Sequence, residues 1–469
     1  MRCANFPITT LVLAVALQVS AIAQETQLGS DFRREAEELK KDCSSFTFSS
    51  VGSCLYTVFT DHPMHIAVGS LAPQNGFGFG PAFVAHLTPN ESWRLSWDVD
   101  AVASSNASWR AGAYMTAVWD HHRRIVVKPG AGSGGKSNIT IEEYPVFHVL
   151  AQSISLNTID YFGIGPNTSD TSRSYFGMRE TITGVNATFP ILQRNWHISL
   201  YGEANGRFVD VRPSPGQSSP SIEQLYTPVT APGLDHQPAY VQFGQGVRIR
   251  PEFAGGHVRL DYSSTFQEFV AAGDSTFSFQ RWDTDFSHQF PLYNVTRRFT
   301  SAPNNFNGPD DCSVSTADHS CPAVTRNLEG SISIDLQINQ SLTSSGHVVP
   351  FYFQPTLGGS DINGNPALPS YQDYRFRAPN NLLLRASFEH SIYGPVGFTA
   401  MVDEGKVALR RSDLDITHLR HSYSVGLTLR AGGFPLAWLL FSWGGREGTH
   451  TTAAMDTSLL GASARPSLY

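Results

Sequence analysis

The chain has 469 residues, a net charge of −7, and 16% charged side chains beside 12% aromatic ones. Soluble domains carry about 25% charged residues, and the mild negative charge excludes the basic surface a nucleic-acid partner needs. After the first segment no apolar run of about 18 residues occurs, which excludes a bundle of membrane-spanning helices.

Residues 1–23 carry Arg2 near the start, an apolar middle at residues 8–19, and Ala21-Ile22-Ala23. A positive start, a short apolar centre and a small-x-small end predict a secretory signal peptide. Residues 24–60 then read as a short periplasmic leader and residues 61–469 as one unit. In the leader the charged stretch 31–42, with Arg33-Arg34-Glu35-Ala36-Glu37-Glu38-Leu39-Lys40-Lys41, predicts one exposed, solvated helix.

Outside the signal segment the cysteines are Cys43, Cys54, Cys312 and Cys321. Two close pairs in an oxidising compartment predict two local disulfides, Cys43 with Cys54 in the leader and Cys312 with Cys321 in a surface loop. No Cys-x-x-Cys spacing supports a zinc site. Triplets such as Asn106-Ala107-Ser108 are chance products of an Asn/Ser/Thr-rich chain.

From Gly76 onward the hydrophobic period is two. Over residues 93–103, Trp93, Leu95, Trp97, Val99 and Ala101 share one face while Arg94, Ser96, Asp98 and Asp100 share the other. Residues 196–208 repeat the pattern, and at 382–392 Leu382, Leu384, Ala386, Phe388 and Ile392 oppose Arg385, Ser387 and Glu389. Charges also sit in mid-strand at Arg281, Asp283 and Asp285. Facing lipid, an Arg costs about 2–4 kcal/mol near the bilayer midplane, so these charges are assigned to a polar lumen. The runs exceed the roughly 5–6 residues of ordinary strands and match tilted strands that span a bilayer. The fold expected is all-β: a transmembrane antiparallel β-barrel of about sixteen strands in an outer membrane, with Trp93, Trp97, Trp196, Leu384 and Phe388 facing lipid.

Connections near residues 190–195, 253–257 and 393–395 are short, whereas 212–238 and the segment holding Cys312 and Cys321 are long. Long loops on one side and tight turns on the other are expected of such barrels, with an even strand number and both ends in the periplasm. Tyr469 supplies the aromatic end that barrel-assembly machinery favours.

In the last third, Val349-Pro350-Phe351-Tyr352-Phe353-Gln354-Pro355-Thr356-Leu357-Gly358-Gly359 opens a long loop that closes with Tyr371-Gln372-Asp373-Tyr374-Arg375-Phe376-Arg377. Two strand patterns follow, the second containing Asp403. This order, together with Asp160-Tyr161-Phe162-Gly163-Ile164-Gly165-Pro166-Asn167-Thr168-Ser169, resembles the BamA/TamA superfamily, the bacterial surface antigen family. The resemblance implies that the sixth extracellular loop folds into the lumen and meets the next strand but one. It also implies a role in inserting, secreting or presenting proteins, with outer-membrane lipid and an unfolded or secreted protein as partners. Two departures stand out. The family's Arg-Gly-aromatic loop motif falls on Pro369, Ser370 and Tyr371, where only the aromatic is kept, and no periplasmic POTRA module fits between Gln24 and Leu55.

Some 20 loop residues without secondary structure inside a compact domain are usually functional or disordered. Here they concentrate Tyr371, Tyr374, Arg375, Phe376 and Arg377, groups that need partners. A packed lumen plug is therefore expected, with Arg375 or Arg377 paired to Asp403. His62, His65 and the His121-His122 pair lack further ligands at metal spacing, residues 130–135 lack the Lys-Ser/Thr that follows a phosphate loop, and no Gly-x-Ser-x-Gly elbow occurs. The reading is of a non-enzyme without cofactor or metal: an assembly or translocation barrel, with a passive plugged channel or structural barrel as the alternative.

Overall fold

The computed structural model describes residues 26–44, 54, 58, 63–120, 144–193, 196–214, 220–299, 324–393, 396–431, 434–445, 447–455 and 466–468. Sixteen long strands follow one another as an antiparallel meander. They are β1 (Met64–Ser70), β2 (Phe77–Asn90), β3 (Trp93–Ser104), β4 (Trp109–Trp119) and β5 (Val146–Tyr161). Next come β6 (Ser174–Leu192), β7 (Ile198–Pro213), β8 (Tyr240–Ile249), β9 (Val258–Ala271), β10 (Phe279–Phe299) and β11 (Val324–Leu342). The last five are β12 (Asn380–Tyr393), β13 (Val396–Ala408), β14 (Arg420–Ala431), β15 (Phe434–Gly445) and β16 (Gly448–Met455). Each pairs with its sequence neighbours, so the sheet curls round until β16 lies beside β1. Among the described residues no ladder pairs join β1 to β16.

The alternation read from the sequence sets the two faces. In β3, Trp97 is 40% exposed on the outside, and its neighbour Asp98 is 2% exposed on the inside. Trp196 and Leu384 are likewise exposed, while Trp93 is half-buried in a stack with Trp119 at 6.2 Å. Trp93, Trp119 and Trp196 lie towards the end where β1 begins; Trp109, Trp282 and Trp443 lie towards the other. Among the described residues nothing packs on most of this apolar outer face. A soluble sheet would require a second apolar layer there, whereas a bilayer supplies one, and aromatic girdles at both rims mark its two interfaces.

Inside, several buried charges are paired across neighbouring strands. Arg110 meets Asp100 at 2.6 Å and Arg207 meets Glu180 at 2.8 Å, all four side chains fully buried. Arg281 points inward as expected, and Trp282 points out.

The ends of the barrel differ from the sequence reading. The connections 214–239 and 343–379 leave one end, but Phe299 and Val324 pair at the other, where β1 begins. Those two residues, which flank the segment holding Cys312 and Cys321, thus lie at the end opposite those two connections. The pairing of Cys312 with Cys321, the signal segment, His121-His122 and residues 130–135 lie outside the described residues. Cys43 is joined to Cys54.

The leader helix α1 (Gln27–Asp42) begins earlier than its charge run, where the Thr26 hydroxyl accepts the Gly29 N–H at 3.2 Å as an N-cap. It is not wholly solvated. Phe32 stacks 6.3 Å from the outward ring of Phe83, and the buried Glu35 carboxylate accepts the Met64 N–H at 3.2 Å. The end of the chain also departs from expectation: the last described strand stops at Met455, and Ser467 and Leu468 lie within the lumen.

Candidate functional site

Between β11 and β12 the chain enters the barrel. It makes a short 3₁₀ turn, Phe351–Phe353, and a two-residue ribbon in which Thr356 and Leu357 pair with Arg377 and Phe376. Phe351, Tyr352, Phe353, Tyr371, Tyr374 and Phe376 are all buried, and Phe353 packs against Tyr240 and Phe269 of the wall, with centroids 5.0 and 5.3 Å away. Water in the lumen would solvate an unpacked loop, and it is the burial of this run of rings that offsets the entropy of ordering it. Gly358 and Gly359 make the tight turn possible. At φ +113° a Cβ on Gly358 would stand 2.5 Å from Arg375 Cβ and 2.6 Å from the Gln372 carbonyl oxygen. Leu368 and Tyr374 take left-handed backbone angles without being glycine, a cost the surrounding contacts must offset.

Three attachments hold this plug. At its tip, the Leu368 N–H donates to Asp403 Oδ2 at 3.1 Å and the Ser370 N–H donates to Ser422 Oγ at 2.9 Å. Asp403, 1% exposed, pairs with Arg385 through two hydrogen bonds of 2.7 Å. The same guanidinium donates to the Pro366 carbonyl at 2.7 Å, tying β12, β13 and the loop together. The expected partnership of Asp403 with Arg375 or Arg377 is thus replaced by one with Arg385, its direct cross-strand neighbour. The cation absent at Pro369 is supplied by the wall, and the loop contributes a peptide N–H instead.

The second attachment is the seat that receives both loop arginines. Arg375 donates to Glu447 at 2.5 Å, to the Thr168 hydroxyl at 2.8 Å and to the Thr168 carbonyl at 2.7 Å, and it stacks over Phe162 and Phe376. Arg377 donates to the Phe351 carbonyl at 2.8 Å, and its own carbonyl accepts the Gly165 N–H at 2.7 Å. Arg420 donates to the Pro166 carbonyl at 2.5 Å and lies over Phe376 at 4.1 Å. The stretch from Asp160 to Ser169, picked out in the sequence for its resemblance alone, is therefore the socket of the plug. The third attachment was invisible in the sequence. Asn363, at the Asp361–Asn365 turn, donates to Ser467 Oγ at 3.2 Å and accepts the Leu468 N–H at 3.0 Å, so the tail of the chain is fixed to the loop.

Asp373 sits in this loop, outside the spanning strands. Burial, reinforced by the nearby Asp160 carboxylate, pushes its carboxyl up to about 6, against the pull of the Ser360 N–H that it accepts at 3.0 Å. Among the described residues no group of three or more His, Cys, Asp or Glu side chains is placed to hold a metal ion.

No family model matches the sequence, and no curated protein matches it. Solved structures do match. The chain is similar to CdiB from Escherichia coli with a TM-score of 0.48 at 11% identity, covering 84% of this chain and 62% of that one. For CdiB from Acinetobacter baumannii the TM-score is 0.45 at 11% identity, covering 83% and 58%. For BamA from Haemophilus ducreyi lacking POTRA domains 1-3 it is 0.45 at 11% identity, covering 83% and 69%. The fold is that of an outer-membrane β-barrel. The chain spans about three fifths of the length of the two CdiB chains.

Proposed function

We propose that this barrel acts in protein assembly or translocation at the outer membrane, in the manner of the surface-antigen superfamily that its loop region resembles. The observation that carries the reading is the inward loop with its tip on Asp403 and Ser422 of two neighbouring strands and its root on Thr168 and Glu447. A pore meant for steady solute flow would be obstructed by such a plug. The partners proposed are outer-membrane lipid and an unfolded or secreted protein segment. No reacting group is assigned, and the proposal is of a protein that is not an enzyme.

A depletion strain tests this directly. Loss of the chain should lower the amount of folded, heat-modifiable protein in the outer membrane or of a secreted protein outside the cell. Unchanged outer-membrane and secreted proteomes, with a large single-channel conductance from the purified protein, would instead support a plugged channel. That second reading has its own basis in the polar cavity beneath the plug, walled by Asp283, Asp285, Asn339 and Gln337.

A further inference from the structure

The third attachment of the plug is also a stretch of polypeptide bound inside the lumen. One side chain grips it: Asn363 Oδ1 accepts the Leu468 N–H at 3.0 Å, and Asn363 Nδ2 donates to Ser467 Oγ at 3.2 Å. Leu468 is 4% exposed and joins the buried cluster that holds Leu71 and Ile362, whereas Ser467 stays open to the lumen. Asn363 is positioned by its own turn rather than by the tail. The Asp361 carboxylate accepts the Asn365 N–H at 2.8 Å across that turn, and Gly364 takes the left-handed angle it needs at φ +87°. A side-chain amide fixed in this way offers one acceptor and its donors to a passing backbone without further ordering.

Room remains on both sides of this grip. A cavity of about 500 Å³ lies towards β1, β15 and β16, lined by Phe77, Trp438 and Thr451, and one of about 430 Å³ lies towards β9–β12, lined by Thr265, Asp283 and Asn339. Asn363 and Asn365 line both, so the two meet at the same turn. Hydroxyl and amide side chains recur in both linings, and they suit a polypeptide, whose backbone brings a donor and an acceptor with nearly every residue. The second lining carries three carboxylates, Asp283, Asp285 and Asp361, against two arginines. Those arginines are already engaged, Arg281 with the Phe353 carbonyl and Arg385 with Asp403. The tail itself is held by two neutral hydrogen bonds and one buried side chain, an attachment that a second chain can displace.

We propose that this lumen site binds a short segment of a client polypeptide, a hydroxyl residue followed by a large aliphatic one, and that the tail occupies it as a resident competitor. The client's aliphatic residue takes the place of Leu468, giving its N–H to Asn363 Oδ1 and its side chain to the buried cluster. Its flanks run into the two cavities, where the excess of carboxylate favours a basic residue over an acidic one. Because Asn363 belongs to the plug, the exchange replaces the plug's hold on the tail by a hold on the client. That the occupant is a client rests on the assembly reading; that the site takes a peptide does not.

Fluorescence anisotropy on the full chain in detergent tests the site, with the labelled peptide Ala-Arg-Pro-Ser-Leu-Tyr, a copy of residues 464–469, as probe. In the unaltered chain the tethered tail competes at a high effective concentration, so the probe should bind weakly. Leu468→Asp, which ejects the tail, should tighten probe binding by about tenfold or more, and the milder Leu468→Ala should act in the same direction. Adding Asn363→Ala to Leu468→Asp should abolish that gain. A probe with aspartate in place of its leucine should not bind, and one with glutamate in place of its arginine should bind several-fold more weakly. Unchanged heat-modifiable migration in electrophoresis shows that the variants fold. Equal probe binding to the unaltered chain and to both Leu468 variants, binding insensitive to Asn363→Ala, or no binding to any variant at millimolar probe would overturn the proposal. The depletion strain tests the assembly reading separately, so probe binding as expected beside unchanged proteomes would retain the peptide site and refute only that reading.

Discussion

Replacing Asp403 with Asn should release the plug tip without unfolding the barrel. The substitution removes a carboxylate that accepts from Arg385 twice at 2.7 Å and from the Leu368 N–H at 3.1 Å. Stripping one partner from a buried ion pair costs about 3–5 kcal/mol. Arg385 keeps its bond to the Pro366 carbonyl and is 17% exposed in the side chain, so part of that cost is met by lumen water. A value of about 2–3 kcal/mol on loop opening is the working figure, which corresponds to roughly a 30- to 150-fold rise in opening. Hydrogen exchange of residues 366–377 in the purified barrel reads this number, with residues of β5 and β6 as the unaffected reference. Pairing with Arg385→Met supplies the control: the double variant should cost less than the sum, because removing both charges leaves none stranded. Arg375→Ala acts through Glu447 and Thr168, shares no partner with Asp403, and should add to Asp403→Asn within about 0.5 kcal/mol. Full additivity of Asp403→Asn with Arg385→Met, or sub-additivity with Arg375→Ala, would refute this assignment of partners.

Asp373 makes the plug pH-sensitive. Its folded carboxyl is raised to about 6 from an ordinary value near 4, so it favours the protonated state; its contribution is most stabilising at low pH and is lost as pH rises through 6. Exchange of residues 358–377, corrected for intrinsic rates, should be several-fold slower at pH 5 than at pH 7.5, and Asp373→Asn should remove the difference; faster exchange in acid would contradict it. Gly358→Ala, which forces a Cβ against Arg375 and Gln372, should destabilise the plug by about 1–3 kcal/mol, read as greater protease cleavage of the loop in an intact barrel. Lipids brominated in mid-chain should quench the fluorescence of outward Trp97 and spare that of Trp438, which lines an internal cavity, so Trp97→Phe should reduce quenching and Trp438→Phe should not. Unreduced peptide mapping should recover Cys43 bound to Cys54; free thiols at both would contradict the structure.

Much of the wall was legible because a period of two is a local signal, repeated in every strand whatever its neighbours do. The loop was legible as a plug because Tyr371, Tyr374, Arg375, Phe376 and Arg377 crowd a segment too charged and aromatic to be left in water. Its partners were not legible. Counting evenly back from the turn after Tyr393, where Tyr393 faces Val396, places Arg385 opposite Glu404; an irregularity between Ser391 and Tyr393 shifts the register by one and sets Arg385 opposite Asp403. A bulge leaves no mark in the alternation strong enough to read. Glu447 and Thr168 lie 72 and 207 residues from Arg375, and closing the barrel is what brings them together. That Phe299 and Val324, which flank the segment holding Cys312 and Cys321, lie at the end opposite the connection 214–239 was not legible either. Loop length marks the outer side only as a tendency, and strand parity, which decides it, depends on every strand being counted correctly.

The most direct test of the plugged barrel is a cross-link in living cells. Ser370 on the loop tip and Ser422 on β14 are joined by a 2.9 Å hydrogen bond inside the lumen, whereas Tyr423 points outward, 40% exposed. With cysteines at 370 and 422, oxidant should produce a disulfide that shifts migration on unreduced gels, and with cysteines at 370 and 423 it should not. Cross-linking of the outward pair at the same rate, or of neither pair, would mean that the loop does not fold into the barrel.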